Sequence, residues 1–390
     1  MSRALGAQYI TREALARVAK KNRVSEIFVE ETMSAIVSNK NFLKIDDNKK
    51  IKGKRIVSIS DEKTLLILNY ISEVLKKISH AKQSNRDRIV KSVIQLLNET
   101  TEKYIYRLDI RKFYESIHQE NIYNKIFSDK ELSPITKRIV RYYLDKLATK
   151  EIKGVGRGVS LSASLAEYYL RDFDERIRST EGVYYYSRFV DDIILFSSKK
   201  IVNVVEFIEN SLPSELKLNN SKEKYSEVEI KDQESKKFVY LGYQFEANIK
   251  KIINIDIANG KVNKIKNRLA KSFISYSLDK NEKLLIKRLK YLSGNRVVTL
   301  RNGTTFRTGL FYSYKYINKD DSASLKSIDT YYKSILFSKR FRLFKENVLT
   351  SLKKNNYHFI RNLSFHDSFL SIPIYNISDE KEVKRCWLHA

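Results

Sequence analysis

The chain has 390 residues, enough for two or three domains, and at 42% hydrophobic content it does not have the composition of a disordered protein. Its 74 Lys and Arg residues against 46 Asp and Glu residues give a formal net charge of +28. Such a charge attracts polyanions, and with 12% aromatic side chains available for stacking, nucleic acid is the expected partner. An anionic membrane surface is the alternative.

Several classes of protein are disfavoured by what the sequence lacks. No apolar run reaches the ~18 residues that a membrane-spanning helix needs, and the N-terminal stretch has no uninterrupted apolar signal core. We therefore expect a retained N-terminus and a cytoplasmic protein. Because the positive charge is not confined to one amphipathic helix, the membrane surface is also disfavoured, and we expect no membrane partner. The single cysteine, Cys386, excludes an intrachain disulfide and disfavours a cysteine-based zinc site.

The first hundred residues read as helices around one short strand. Apolar positions at helical spacing predict two or three short amphipathic helices over residues 1–50. A basic, glycine-containing link then leads into a β-like run at 55–60 and a strong helix, for which Ser60 or Asp61 is the expected N-cap. Residues 86–100 predict a further helix.

Two β-prone runs end in carboxylates. Residues 103–110, KYIYRLDI, lead into Asp109, and the strands around 183–197 are separated only by Asp191 and Asp192, which predicts a hairpin with an acidic tip. For the hairpin alone, a solvated Asp-Asp turn is the alternative. If both runs lie in one sheet, Asp109 lies beside that tip. Carboxylates ~4 Å apart repel by about 4 kcal/mol at an effective dielectric near 20, and a divalent cation would remove that cost.

The carboxylates suggest a metal and a reaction. Two carboxylates and the carbonyl of Ile110 suit Mg²⁺, which prefers hard oxygen ligands, with Mn²⁺ as the alternative. Two such ions stabilise the attacking and leaving oxygens of an in-line phosphoryl displacement. The sequence therefore predicts nucleotidyl transfer, with Asp109, Asp191 and Asp192 as catalytic residues.

The remaining elements follow in order. Ser133 and Pro134 start a helix that runs to Leu147, and a glycine-rich stretch from 154 leads into small residues and an amphipathic helix. After the acidic hairpin we predict a helix at 201–212, a strand-like segment at 216–230, and two strands at 238–245 bent at Gly242. From about 250 the chain becomes Lys-rich and helical, with a β-like or looped insert at 294–309.

Five segments together resemble a known family. They are YRLDIRKFYESI, RGVSLSASLAEYYL, RFVDDIILF, LKLNNSKEK and FVYLGYQF. In order and spacing they resemble the palm motifs of reverse transcriptases, most closely the bacterial retron-like and defence-associated (antiviral) enzymes, over roughly residues 50–250. The resemblance implies an α+β right-hand polymerase with an antiparallel palm sheet. Its regions would be an N-terminal helical extension at 1–50, fingers at 51–105, a palm at 106–248 with a fingers insertion at about 120–150, and a basic helical thumb with a C-terminal extension at 249–390.

The resemblance also implies roles for individual residues. Asp109 and Asp191 would be the main metal ligands, with Asp192 supporting the site. Tyr114 would be the steric gate that leaves no room for a ribose 2′-hydroxyl, and Phe113 would face the core behind it. The expected nucleotide contacts are Tyr114, Phe113, Gly158, Arg157, Lys222, Lys54 and Arg55, with Arg86 or Arg88 sharing the triphosphate role. The expected primer-grip and nucleic-acid contacts are Phe189, Leu241 and Gly242.

Two dipeptides depart from the family's usual sequence. Phe189-Val190 stands where Tyr-Ala is usual, and Arg157-Gly158 stands where Gln-Gly is usual. We expect these changes to alter fidelity, processivity or the choice of base. Because all three carboxylates are kept, we expect an active enzyme.

The function that follows is RNA-templated DNA synthesis. The resemblance implies dNTP substrates, an RNA template, a DNA product and a place in bacterial antiphage defence. It also implies a structured noncoding RNA as partner and, in some systems, a second reverse transcriptase or an effector protein. Untemplated or repetitive DNA synthesis by the same site is one alternative, and a non-catalytic RNA-binding scaffold is another.

Overall fold

The chain divides into two compact units. A computed structural model describes residues 10–38, 41–51, 54–78, 85–221, 223–299, 305–337, 353–370 and 380–388. The first unit comprises Met1–Leu96 and Thr101–Lys231, and the second comprises Leu97–Thr100 and Asp232–Ala390. Within the described ranges, helices and antiparallel strands alternate in both units, which confirms the predicted mixture of helix and antiparallel sheet. None of the helices in those ranges combines the length and apolarity that crossing a bilayer requires.

The first unit holds ten of the described helices and six strands. Its helices are α1 (Arg12–Asn22), α2 (Ile27–Val37), α3 (Glu62–Ile78), α4 (Arg86–Leu97), α5 (Phe113–Ser116), α6 (Gln119–Ser128), α7 (Pro134–Thr149), α8 (Ser160–Tyr169), α9 (Arg171–Arg178) and α10 (Val204–Ser211). Its strands are β1 (Asp46–Ile51), β2 (Lys54–Ser58), β3 (Lys103–Asp109), β4 (Val183–Phe189), β5 (Asp192–Ser197) and β6 (Ser226–Ile230).

A four-stranded antiparallel sheet carries the acidic segments. Its order is β4-β5-β3-β6, and Ile193 to Phe196 of β5 are all fully buried, as their continuous apolar run predicts for a central strand. The register pairs Asp109 of β3 with Asp192 of β5, and Phe189 of β4 with the same Asp192. The sheet therefore brings the two acidic segments together at one end of its strands, as the sequence predicts.

Helix α8 packs through small, hydroxyl-bearing residues. Its Ser164 hydroxyl lies 2.6 Å from that of Ser72 on α3, and its Ser162 hydroxyl lies 2.8 Å from that of Tyr143 on α7. These hydroxyls satisfy one another where burial would otherwise leave them without partners. The small residues thus place α8 between two helices and fix the position of Glu167, which is also buried.

Local signals set the helix starts, but not every strand. The Asp61 carboxylate accepts the Thr64 amide at 2.8 Å at the start of α3, and Ser133 accepts the Thr136 amide at 3.2 Å at the start of α7. Residues 48–51 of the predicted link instead belong to strand β1, which pairs antiparallel with β2. Its residues, DDNKKI, have low β-propensity, so the pairing with β2 decides its structure. Within the described part of the strand-like stretch 216–230, Ser226–Ile230 forms a strand.

The second unit combines a sheet with helices. Its strands are β7 (Lys236–Tyr240), β8 (Tyr243–Ala247), β9 (Ile252–Ile257), β10 (Asn295–Thr299) and β11 (Thr305–Gly309). Its helices are α11 (Asn259–Asp279), α12 (Glu282–Ser293), α13 (Leu310–Tyr314), α14 (Ala323–Phe337), α15 (Lys354–Asn362), α16 (Phe365–Ser368) and α17 (Glu380–Leu388). Strands β7, β8 and β9 form one antiparallel sheet, and β10 pairs with β11 in the predicted insert.

Gly154 offers a test of packing in the first unit. A Cβ atom on residue 154 would lie 1.9 Å from the carbonyl oxygen of Tyr114, and its backbone is left-handed at φ 71°. We therefore expect Gly154→Ala to destabilise the protein by about 2 kcal/mol or more. Gly260→Ala is the matched control, because nothing lies within 4 Å of its added Cβ. It should gain about 0.5 kcal/mol from the stiffer unfolded chain. Calorimetric unfolding measures both, and a Gly154→Ala midpoint equal to that of wild type would contradict the packing.

Candidate active site

The three predicted carboxylates form one cluster. Asp109 ends β3, Asp191 lies in the turn between β4 and β5, and Asp192 begins β5. One oxygen from each lies within 4.8 Å of the others. Asp109 is buried and the other two are half-buried, so the cluster lies near the surface at one end of the strands, with one carboxylate beneath the other two.

The turn that carries Asp191 has an unusual backbone. Val190 has φ 62°, in the left-handed region that β-branched residues rarely adopt. Such a conformation costs on the order of 1–3 kcal/mol and persists only where its surroundings enforce it. One such contact is the Ile110 amide, which donates to the Asp191 carbonyl at 2.9 Å and ties the turn to the residue after Asp109.

Cations and an amide partly compensate the clustered charge. Lys224 lies 2.6 Å from one Asp109 oxygen, and Asn219 donates to the other at 3.3 Å. Asp192 pairs with Arg107 at 3.4 Å. Burial, together with the charges of Asp192 and Asp109, raises the pKa of the Asp191 carboxyl. Burial lowers the pKa of the Lys224 ammonium, but the hydrogen bond and charge of Asp109 outweigh it, so the net shift is upward.

The donor set fits a hard divalent cation. Lys224 pairs with Asp109 and Arg107 pairs with Asp192, and these two cations balance two of the three carboxylate charges. Carboxylate oxygens are the ligands that Mg²⁺ and Mn²⁺ prefer, and their mutual separation allows them to share one ion. The residues that could hold a metal ion are therefore Asp109, Asp191 and Asp192. The amide of Ile110 is used by Asp191, and its carbonyl remains a predicted ligand.

The ring of Tyr114, the predicted gate residue, contacts two neighbouring side chains. Tyr114 is half-buried on α5, with its ring centroid 5.2 Å from that of Phe113, which is buried in the core. The Arg157 guanidinium lies over the Tyr114 ring, 5.1 Å from its centroid. Arg157 is itself held by Glu115, with Nε–Oε1 and Nη2–Oε2 separations of 2.5 and 3.0 Å. The cation that replaces the family's usual Gln is therefore ion-paired and stacked on the gate.

The glycine loop packs against β2. A Cβ atom on residue 158 would lie 2.4 Å from the Val57 carbonyl oxygen, and its backbone has φ 106°. The neighbouring Arg157 carbonyl accepts the Val57 amide at 2.7 Å. A side chain at 158 would thus disrupt the contact with β2. The approach of this glycine to template, primer and nucleotide remains a prediction.

The other predicted contacts are spread more widely. Arg55, Tyr114 and Arg157 line one cavity of about 480 Å³, a volume within the range typical of small-molecule sites. Phe189 ends β4 beside Asp192, while Leu241 and Gly242 form the tip of the β7–β8 hairpin in the second unit, as the bend predicted at Gly242 requires. The side chain of Lys54 and the whole of Lys222 lie outside the described residues.

Sequence reasoning missed three residues that contact the carboxylates. These are Lys224, Arg107 and Asn219. The alternation of strand residues could have placed Arg107 on the same face as Asp109, two residues later. Nothing in the Lys-rich sequence around 222–224 marks Lys224, because its contact with Asp109 depends on the conformation of the loop.

Comparison with known proteins identifies the family. Residues 43–245 match the family model described as reverse transcriptase (RNA-dependent DNA polymerase). The match covers more than half of the chain, and the chain belongs to the reverse transcriptase family. The description of that model names an RNA-dependent DNA polymerase, which is a nucleotidyltransferase. No curated protein is a significant match by sequence.

Three telomerase structures are similar to the chain at low identity. Apo telomerase from Candida tropicalis, truncated from the C-terminal domain, is 15% identical over 48% of this chain and 44% of that chain, with a TM-score of 0.34. Telomerase from Candida albicans in complex with the TWJ fragment of telomeric RNA is 14% identical over 56% and 42%, with a TM-score of 0.32. The corresponding complex from Candida tropicalis is 13% identical over 93% and 68%, with a TM-score of 0.35. The chain spans less than half the length of the first two.

Removing one charge from the cluster should stabilise the protein without metal. Asp191→Asn takes away the repulsion from Asp109 and Asp192. In EDTA we expect its unfolding midpoint to rise by about 2–4 °C, the shift that ~1 kcal/mol gives in a unit of this size. Millimolar Mn²⁺ should then stabilise wild type more than the variant. Differential scanning calorimetry measures both effects.

Asp192→Asn is the matched control for this prediction. It removes the same charge, but it also removes the ion pair with Arg107, so its gain in EDTA should be smaller. A lower midpoint for Asp191→Asn than for wild type in EDTA would show that repulsion does not dominate the cluster.

Proposed function

We propose that the chain copies RNA into DNA from dNTPs by two-metal nucleotidyl transfer at Asp109, Asp191 and Asp192. The observation that carries the proposal is the clustering of their oxygens within 4.8 Å in a chain of the reverse transcriptase family. The three carboxylates and the Ile110 carbonyl would hold two Mg²⁺ ions, with Mn²⁺ as the alternative. Bound there, such ions would supply charge stabilisation for the attacking and leaving oxygens.

The residues around the cluster would select and hold the substrate. Tyr114 would exclude a ribose 2′-hydroxyl with its ring, which contacts with Phe113 and Arg157 hold in place. Arg55 and Arg157 would meet the nucleotide at the cavity that they line together with Tyr114. Lys224 would hold a positive charge beside Asp109.

The same resemblance supports an assignment of regions. Residues 51–105 would be the fingers, 106–248 the palm with an insertion at about 120–150, and 249–390 the thumb and its extension, after an N-terminal helical extension at 1–50. The four-stranded sheet with the carboxylate cluster supports the palm assignment. Phe189, Leu241 and Gly242 would contact primer and nucleic acid.

The setting of the enzyme follows from its motifs and its charge. The resemblance to bacterial retron-like enzymes supports a cytoplasmic role in antiphage defence. The net charge of +28 supports a long polyanionic partner, which we assign as a structured noncoding RNA that also supplies the template. A second reverse transcriptase or an effector protein would complete the system. Sequencing the RNA and DNA that co-purify with the protein tests this setting, and recovery of unselected cellular RNA alone would contradict it.

Incorporation of labelled dNTPs on an RNA template tests the activity. We expect a Mg²⁺-dependent product from wild type, and a loss on the order of a thousandfold or more when Asp191→Ala and Asp192→Ala are combined, since the negative charge that holds the ions is removed. Asp145→Ala is the matched control, because this exposed acid pairs with Arg141 on α7. Undiminished synthesis by the double variant would contradict the proposal. A DNA product that does not match the supplied template would show untemplated synthesis instead of RNA-templated synthesis.

Discrimination against ribonucleotides tests the gate. Tyr114→Ala should raise the efficiency of rNTP use relative to dNTP use by roughly tenfold or more, which corresponds to about 1.4 kcal/mol of lost clash. Tyr114→Phe keeps the ring and should keep the discrimination. Single-nucleotide incorporation kinetics with each substrate measure the ratio, and equal ratios for wild type and Tyr114→Ala would assign the gate elsewhere.

A further inference from the structure

Arg188 is a buried cation whose hydrogen-bonding capacity is fully used. It lies in β4 with 2% of its side chain exposed. Its Nε and Nη2 donate to the two Asp174 oxygens at 2.8 and 2.6 Å, and its Nη1 and Nη2 donate to the two Glu167 oxygens at 3.2 and 2.8 Å. Its Nη1 also donates to the Val190 carbonyl at 2.9 Å. These bonds occupy all five N–H groups of a guanidinium.

The two acids fix the guanidinium from two different helices. Glu167 lies on α8 and Asp174 on α9, and both carboxylates are largely shielded from solvent. Asp174 also accepts the hydroxyl of Tyr186 at 2.6 Å. Because each acid binds the guanidinium through both oxygens, the group is held in position and orientation.

The fifth bond of Arg188 reaches the strained turn. Val190 has the left-handed φ of 62°, and Arg188 holds its carbonyl. The next carbonyl, that of Asp191, accepts the Ile110 amide at 2.9 Å. Two successive carbonyls of the turn are therefore fixed, one by the buried cation and one by the residue that follows Asp109.

We propose that Arg188 is a positioning residue for the catalytic turn. Its guanidinium, locked by Glu167 and Asp174, holds Val190 in the left-handed conformation and so keeps Asp191 and Asp192 beside Asp109. The catalytic meaning of this positioning rests on the proposed function. The positioning itself does not, since it concerns how the chain arranges its own carboxylates.

Arg188→Lys removes the planar guanidinium with its several donors but keeps the positive charge. Lysine keeps the positive charge but carries its donors on one nitrogen, so it cannot reproduce bonds to two carboxylates and a carbonyl lying in different directions. Without the bond to its carbonyl, Val190 is free to return to negative φ, which β-branched residues favour. The carboxylates would then lose their common geometry while the overall charge stays the same.

Binding of Mn²⁺ to the chain without nucleic acid measures the geometry directly. Electron paramagnetic resonance counts free Mn²⁺, and a site lost in Asp191→Asn identifies the cluster. We expect Arg188→Lys to weaken this binding by roughly tenfold or more. In polymerisation assays kcat should fall, while the KM for dNTP changes by less than about threefold.

Rescue through Val190 distinguishes positioning from a general structural role. Glycine adopts positive φ without strain, so Val190→Gly in the Arg188→Lys background should restore Mn²⁺ affinity to within about threefold of the Val190→Gly single variant. Val190→Ala removes the branched side chain but keeps the Cβ penalty, so it should restore less. Arg138→Lys, which alters a guanidinium that donates to the Ile36 carbonyl at 3.0 Å, should bind Mn²⁺ as wild type does.

Several outcomes would overturn the proposal. The first is unchanged Mn²⁺ affinity in Arg188→Lys. The second is the same loss of Mn²⁺ affinity from Arg188→Lys whether residue 190 is valine or glycine. The third is a loss in Arg138→Lys as large as that in Arg188→Lys. If Arg188→Lys does not fold, as judged by circular dichroism, Glu167→Gln takes its place, and its loss of affinity should likewise be recovered by Val190→Gly. If the Mn²⁺ results are as expected but wild type incorporates no dNTP, the proposed function fails and the positioning role stands.

Discussion

Mutual repulsion among three carboxylates is the constraint to which the rest of the site responds. One oxygen from each carboxylate lies within 4.8 Å of the others, a separation at which like charges repel, and Asp109 is buried as well. The β3–β5 register forces Asp109 and Asp192 together, and Lys224 and Arg107 offset only part of the charge. The remaining negative charge is what a divalent ion would neutralise. Instability without metal and affinity for metal would thus have the same cause.

The backbone around the carboxylates is arranged to hold them in that unfavourable position. A β-branched residue in left-handed conformation begins the acidic turn, and buried side chains from α8 and α9 converge on Arg188 beneath it. Packing in the core of the first unit therefore offsets the cost of the strained backbone in the acidic turn. Backbone strain and charge repulsion that meet in one turn are typical of a site selected for function over stability.

The sequence predicted those parts of the site that depend on local pattern. One β-prone run ends in Asp109 and another begins at Asp192, so the two residues lie side by side once both strands join one sheet. Cap residues such as Ser133 mark the starts of helices. It could not predict pairings set by distant segments. Glu115 binds Arg157 from 42 residues away, and Gly158 is required by contact with β2. Strand β1 exists because β2 pairs with it, and Lys224 reaches Asp109 because of the loop conformation.

The central claim is that Asp109, Asp191 and Asp192 form one metal site at which nucleotides react. Anomalous diffraction at the manganese edge, from crystals grown with Mn²⁺, an RNA–DNA duplex and a nonhydrolysable dNTP, tests it most directly. The account predicts manganese peaks in contact with these three carboxylates and with the triphosphate of the nucleotide. A bound nucleotide with no manganese at the carboxylates, or with manganese held only by other residues, would contradict it.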